Sequence, residues 1–443
     1  MGFSANRLFQ FLQQLSSCRS YQIAYSGGLD SHVLLYSLVQ LRLQFPEITL
    51  RAVHIDHGLN PDSTRWSGRC HEVCTALKVE CKVIKVNAHP AKGESPEAAA
   101  RQARYSALRK HISVGECLLM AQHQDDQVET VLLQLLRGSG PHGLAAMAKT
   151  MVFGDSYLLR PLLSFSRSEL QDYAKKEGLV WINDPSNQDL SFDRNYLRHE
   201  ILPLLRCRWP GLGQTVSRAA RHQAEVMQLL DQQAHQDLNT INADENWLSV
   251  SALRALPPHR CRNLLRYWLK NQGLPLPDSF HLRRILTEVL PALEDRQPVI
   301  TWFGAEVRRY RDRLYAQLPL PPHNPAIVII WEAINPLTLP ASVGGMLVLR
   351  LTQGSGLSVQ QLQQGCVTVR FRQGGERIQL VDRGHSHTIK KYFQEQGIPP
   401  WQRDRIPMVY IGDTLVFVAG IGIAQSATAK PKEPSIMIEW MRG

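Results

Sequence analysis

A pair of glycines between an apolar run and a helical one constrains this chain more than any other feature. Tyr21-Gln-Ile-Ala-Tyr25 reads as a buried strand, and Ser26-Gly27-Gly28-Leu29-Asp30-Ser31 follows it. From Ser31 to Leu43 apolar residues recur at helical spacing. Strand, glycines and helix in that order make an anion cradle. Glycine lets the backbone approach closely, successive N–H groups converge, and the positive end of the helix dipole faces the ligand. Ser26 and Ser31 add hydroxyls, and Asp30 can orient the loop or hold a cation. No Gly-Lys-Ser/Thr is present, so this is not the common ATPase loop, whose lysine reaches the outer phosphates. Taken alone, the six residues also suit a tight turn with a capping aspartate.

The following segments extend the pattern. Leu50–Asp56 and Lys82–Val86 read as strands, with an amphipathic helix from Ser63 to Leu77 between them. Ser95-Pro96-Glu97 is a helix start, with a capping serine, a proline in the first turn and an early acid. Cys117–Ala121 is the next strand, and Gln124–Leu136 the next helix, closed by Gly138. Such alternation implies an α/β domain, a doubly wound parallel sheet with ligands at the carboxyl ends of its strands. From about residue 213 the pattern changes to helices: 214–238, around Ser251, and 258–271. A strand pair, 298–303 and 306–315, then flanks Gly304. Pro319–Pro325 is a stiff linker signal, and beyond it the chain is strand-rich, with a helix over 387–396. The expected domains are 1–212, a mainly helical 213–320, and a small α+β domain over 345–443.

Composition narrows the partners. Fifty basic against thirty-nine acidic residues give +11, which favours a polyanion. The excess is spread over all three candidate domains, so a large folded polyanion fits better than a short basic tail. No apolar run approaches the roughly 18 residues of a membrane span, and the N-terminus lacks the apolar stretch of a signal peptide. A cytoplasmic protein that binds no membrane is expected. The eight cysteines form no Cys-x-x-Cys pair, and Cys70, His71, Cys74 and Cys81 match no common structural zinc site, so they read as reduced thiols.

A second constellation is His123-Gln-Asp125-Asp126-Gln-Val-Glu129-Thr130, at a strand end and helix start. Asp126 and Glu129 share one helix face. Acids in a first turn can simply complement the helix dipole, but a parallel sheet brings this turn beside Gly27-Gly28. Carboxylates there could bind magnesium carried by ATP or act as a general base. Arg194 and Arg198, four apart, either pair with carboxylates or contact phosphate. The run 308–313 (Arg-Arg-Tyr-Arg-Asp-Arg) sets cations beside aromatics, as RNA-binding surfaces and solvated strand edges both do. His54 and His57 read as packing or nucleotide contacts, as does His123.

Ser-Gly-Gly-x-Asp-Ser resembles the pyrophosphate loop of the N-type ATP pyrophosphatases. With His-x-x-Asp-Asp-x-x-Glu-Thr, Leu135-Leu-Arg-Gly-Ser-Gly140, Val53-His-Ile-Asp56-His-Gly-Leu59, Arg160-Pro-Leu-Leu163, Asp184-Pro-Ser-Asn187 and Arg194-Asn195 through Pro203, the chain resembles the tRNA(Ile)-lysidine synthetases. Gly374-Gly-Glu-Arg377 through Lys390-Lys391 to Arg403 and Arg405 resembles that family's C-terminal domain. The resemblance covers about 20–205 and 365–425. It implies that ATP adenylates the C2 oxygen of the wobble cytidine in an isoleucine tRNA with a CAU anticodon, and that L-lysine then displaces AMP. The product reads AUA and is charged with isoleucine in place of methionine. On this resemblance Ser26, Gly27, Gly28, Leu29, Asp30, Ser31, Asp56 and His123 bind ATP or pyrophosphate. Asp126, Glu129 and Asp30 are catalytic, and Mg²⁺ arrives with ATP on Asp30 or Asp126. Arg194, Arg198, Arg377, Lys390, Lys391, Arg403 and Arg405 touch tRNA or phosphate. The sequence does not fix the oligomeric state, and a homodimer is compatible with it. A tRNA thiolase with the same loop would carry paired catalytic cysteines or a Cys-x-x-Cys, and an amidating enzyme an ammonia-generating domain; neither is present.

Overall fold

Strand and helix alternate through the first half as the apolar periods require. The computed structural model describes residues 2–58, 60–89, 96–241, 243–244, 246–293, 296–381 and 383–442, with only the backbone of 96–98 and 243–244. Leu59 and the capping Ser95 lie outside the described residues. The chain divides into two units at 232/233.

In the first unit the elements are α1 (Ala5–Leu15), β1 (Ser20–Ala24), α2 (Leu29–Gln44), β2 (Thr49–Asp56), α3 (Ser63–Ala76) and β3 (Glu80–Lys85). After them come α4 (Pro96–His111), β4 (Cys117–Leu119), α5 (Gln124–Leu136), β5 (Thr150–Phe153), β6 (Ser156–Leu159) and α6 (Arg167–Lys176). The sheet order is β3-β2-β1-β4-β6-β5. β1 pairs in parallel with β2 on one side and with β4 on the other. The chain therefore winds outward from β1 to β3, then crosses back to β4. That reversal is the switch point where a crevice opens at the carboxyl ends of an α/β sheet. The glycine loop leaves β1 there and the His123 turn leaves β4. The β5–β6 hairpin was not anticipated; β5 runs antiparallel to β6 at the sheet edge, turning at Gly154 with φ +64°.

The core beneath the loop holds polar groups. Tyr25 Oη and His32 Nδ1 share a 2.8 Å hydrogen bond, and His54 Nδ1 lies 3.0 Å from the Tyr25 carbonyl. Both histidines are buried, and burial lowers the pKa of each, with Arg69 adding to the effect at His32. Their folded values lie below the unfolded value of about 6.5, so their contribution is complete above that pH. It is lost as pH falls and the unfolded chain takes up protons first. Between pH 7 and 5.5 the urea midpoint should drop, each histidine adding up to about 1.4 kcal/mol per pH unit. His32→Gln should flatten that slope; an unchanged slope would remove His32 from the effect.

The second unit has two cores. One gathers Leu248, Leu264, Leu265, Trp268, Val307 and Leu314. Around it lie the end of α7 (Leu212–Thr240), α8 (Val250–Ala255), α9 (Pro258–Asn271) and a five-stranded sheet. Its strands are β7 (Ala243–Asp244), β8 (Trp247–Ser249), β9 (Val299–Trp302), β10 (Ala305–Tyr310) and β11 (Arg313–Gln317). The single strand expected over 306–315 is two, because the chain turns at Arg311 (φ +54°). Asp312 fixes the turn by accepting from Ser249 Oγ (2.7 Å) and Ser251 N (2.7 Å). The other core, with Val369, Phe393, Met408 and Val418, lies among antiparallel strands and the helix Ile389–Glu395. That helix begins later than expected because His387–Thr388 pairs as a strand with Arg377–Ile378.

Candidate functional site

Gly27 stands where any side chain would be strained. Its φ is +80°, and a Cβ would lie 2.6 Å from Ile182 Cδ1 and 2.8 Å from Cys70 Sγ. Gly28 is different: a Cβ there would meet only Ser26 Oγ, at 3.5 Å, so its hydrogen leaves an open face. The loop is braced from within. Ser26 N donates to Ser31 Oγ (3.2 Å), and Ser31 Oγ donates to the Gly28 carbonyl (3.0 Å). Gly28 is the N-cap of α2, and no side chain caps that helix. Its first N–H groups are thus available to an anion.

Across the switch point, His123 caps α5. Its Nδ1 accepts from Asp125 N (3.2 Å) and Asp126 N (3.4 Å), while its own N–H donates to Asp126 Oδ2 (3.0 Å). The ring is 1% exposed, and Nε2 lies 3.5 Å from both Asp30 Oδ2 and Asp126 Oδ2. Burial depresses the imidazole pKa, but the Asp126 and Asp30 carboxylates outweigh it and would carry the ring up to about 9. The capping geometry forbids that proton, since Nδ1 already accepts two helix N–H groups. His123 is therefore neutral, with its hydrogen on Nε2 facing the carboxylates. Burial raises Asp30, yet the hydrogen bond from His123 and the charges of Arg167 and Arg198 hold it below the ordinary carboxylate range.

The carboxylates differ in access. Glu129 is 0% exposed and gripped by Arg198, whose Nε lies 2.7 Å from Oε1 and Nη2 2.9 Å from Oε2. Burial pushes Glu129 up, and Arg198 opposes it. Arg198 also reaches Asp126 Oδ1 at 3.0 Å. Arg194 Nε stands 3.5 Å from Glu129 Oε2. Of the two readings of these arginines, carboxylate pairing is the one present. Arg198 meets these acids through Nε and Nη2.

Arg198 sits on a π-helical turn, Leu197–Ile201, where Leu202 N donates to Leu197 O. Pro203 cannot donate to the His199 carbonyl, which accounts for the change of register. Asp125, quoted in the motif but given no role, pairs with Arg206 at 2.8 Å and accepts from Arg167 N at 3.3 Å. It ties α5 to the start of α6 and to the helix Leu202–Arg208. Its adjacency to Asp126 was the only signal. Asp56 ends β2 and accepts from Gly58 N at 2.9 Å.

An Mg²⁺ ion needs hard oxygen ligands. Asp30 Oδ1 is buried without a hydrogen-bond partner, whereas Asp126 Oδ1 meets Arg198 and its Oδ2 meets His123 N. The residues fit the ion, and they favour Asp30 over Asp126.

In the second unit Lys390 and Lys391 are exposed. Arg377 donates to the Ser386 carbonyl (2.7 Å), and Arg405 to the carbonyls of Ser342 and Pro321. Arg403 is a correction: it is 7% exposed, donating to Ile398 O and Tyr310 Oη, and its role is packing. The 308–313 run is likewise engaged internally. Arg308 binds Glu306 and lies over Trp401, Arg309 donates to the Leu290 and Ala292 carbonyls, and Arg311 donates to Gln394 O.

Three family models match: a PP-loop domain over 3–205, a TilS substrate binding domain over 248–315, and a TilS substrate C-terminal domain over 367–440. A tRNA(Ile)-lysidine synthase of Coxiella burnetii is 43% identical over 97% of this chain and 95% of its own length. One from Alkalilimnicola ehrlichii is 45% identical over 97% and 95%, and one from Yersinia pseudotuberculosis 43% over 96% and 97%. Among the described residues, no helix is long and apolar enough to cross a membrane.

Proposed function

The chain belongs to the tRNA(Ile)-lysidine synthase family, and from that premise we propose how its own residues join lysine to an isoleucine tRNA. The observation that carries the reading is the meeting, at one switch point, of an uncapped helix N-terminus with the Asp30–His123–Asp126 set. The C2 oxygen of cytidine leaves only when activated. It attacks the α-phosphorus of ATP, and pyrophosphate departs into the cradle of Gly28, Ser26 and the first N–H groups of α2. Mg²⁺ on Asp30 would neutralise phosphate charge there. The neutral His123 holds Asp30 and Asp126 in register through its Nε2 hydrogen. In the second step the lysine amine attacks C2, the C2–O bond breaks, and AMP leaves.

Lysine's ammonium, with a pKa of about 10.4, needs a counter-charge and must lose a proton. Asp126 is the accessible carboxylate, because Glu129 is buried against Arg198. We therefore assign proton removal to Asp126 and positioning to Glu129. Residues 1–212 would carry this chemistry in the cytoplasm, with 213–320 and 345–443 holding the tRNA.

Incubation with ATP, an isoleucine tRNA transcript with a CAU anticodon and labelled lysine tests the reaction. Label must enter the anticodon loop; release of AMP without transfer of label would sink the reading. Asp126→Ala should still accumulate adenylated tRNA but stall, with partial rescue at high pH where free amine is abundant. Equal loss of both half-reactions in Asp126→Ala would show that its role is positioning of metal or phosphate.

A further inference from the structure

Helix α9 divides its residues sharply. Cys261, Leu264, Leu265, Trp268 and Leu269 are buried in the core. Fourteen residues, Pro258–Asn271, contain no aspartate or glutamate. On the inner edge Arg260 pairs with Asp237, itself fully buried. On the outer side stand His259, Arg262 and Arg266, at positions i, i+3 and i+7, and so on one face. His259 and Arg262 are exposed and Arg266 is half-buried. Among the described residues neither arginine forms an ion pair, although other surface arginines of this unit find acids: Arg284 with Glu288, Arg372 with Asp404 and Arg383 with Glu395. Arg262 and Arg266 repel each other across one turn, which weakens a helix unless something offsets it. Burial and the neighbouring Arg262 charge both act against the Arg266 cation.

We propose that the outer face of α9, through Arg262 and Arg266, is a docking surface for the sugar–phosphate backbone of the tRNA. This rests on the reading above that the substrate is a tRNA. Charge complementarity selects the occupant. Two arginines one turn apart on a helix, with no acid paired to them among the described residues, suit a chain of phosphates rather than an apolar partner. The helix also lies within the stretch matched by the substrate binding model. Contacts of this kind position the RNA without reading its bases.

The test is the salt dependence of binding, measured with the full chain and an isoleucine tRNA transcript from about 0.05 to about 0.3 M KCl. Arg262→Gln with Arg266→Gln should weaken binding about 10- to 30-fold near 0.15 M salt, and should flatten the plot of log K against log salt by about 1.4 to 1.8. The rate at saturating tRNA should stay unchanged. Arg262→Lys with Arg266→Lys, which keeps the charge, should retain the slope and so exclude a folding defect. Weaker binding with an unchanged slope overturns the proposal, and so does unchanged binding. A wild-type protein that binds tRNA with a steep slope yet ligates no lysine would defeat the proposed reaction and leave this surface standing.

Discussion

Asp30→Ala should lower tRNA-dependent pyrophosphate release by roughly 10²- to 10³-fold or more, the scale of losing one preorganised group at a developing charge. Asp30 lies in the first turn of α2 with one oxygen 3.5 Å from His123 Nε2 and the other buried without a partner. Removing the carboxylate takes away an acceptor oxygen that has no hydrogen-bond partner among the described residues, which is the oxygen a magnesium–nucleotide complex would claim. It also leaves the His123 hydrogen with Asp126 alone. Affinity for tRNA should stay within a few fold, because phosphate positioning and RNA docking use different groups. Asp30→Asn separates the two effects, since it keeps the shape and loses the charge. Lysine transfer at the wild-type rate in Asp30→Ala would take the loop out of the mechanism.

What was legible in the sequence was local. Gly27 and Gly28 lie beside the strand and helix they join, so spacing alone narrowed them to an anion cradle or a tight turn. The neighbourhood of β1 and β4 followed from the crossover rules of parallel sheets, and with it the meeting of Asp30 and His123. Arg198 was not decidable in this way. Its partners Asp126 and Glu129 are about seventy residues earlier, and an arginine at that spacing serves a phosphate or a carboxylate equally well. The 308–313 run stayed undecided for a related reason. Cations interleaved with aromatics suit an RNA-binding surface and a solvated strand edge alike, and the contacts of Arg308 with distant Trp401 and, along its own strand, with Glu306 emerge only from the fold. The β5–β6 hairpin did leave a signal, Gly154-Asp155 between two short apolar runs, which the helical pattern on either side obscured.

The largest loss of stability should come from Arg198→Ala. Glu129 has no exposed surface, and its two oxygens face the Arg198 fork. Without that fork the buried carboxylate keeps the longer Arg194 contact but loses its main partner, and breaking a buried pair typically costs about 3–5 kcal/mol. Lysine is a poor substitute, because one ammonium cannot bridge Glu129 and Asp126 as the planar fork does. Pairing the change with Glu129→Gln removes the charge instead of stranding it. The double variant Glu129→Gln/Arg198→Ala should therefore be more stable than Arg198→Ala alone, a coupling visible in urea midpoints. Activity should separate from stability in the same set. Once the fork is gone Asp126 Oδ1 loses its Arg198 partner, so Arg198→Ala should lose lysine transfer even where the protein remains folded. If Arg198→Ala instead unfolds within about 1 kcal/mol of wild type, the pair is not what holds this corner together. Arg198 would then be free to leave the acids for a phosphate, the alternative that its spacing first allowed.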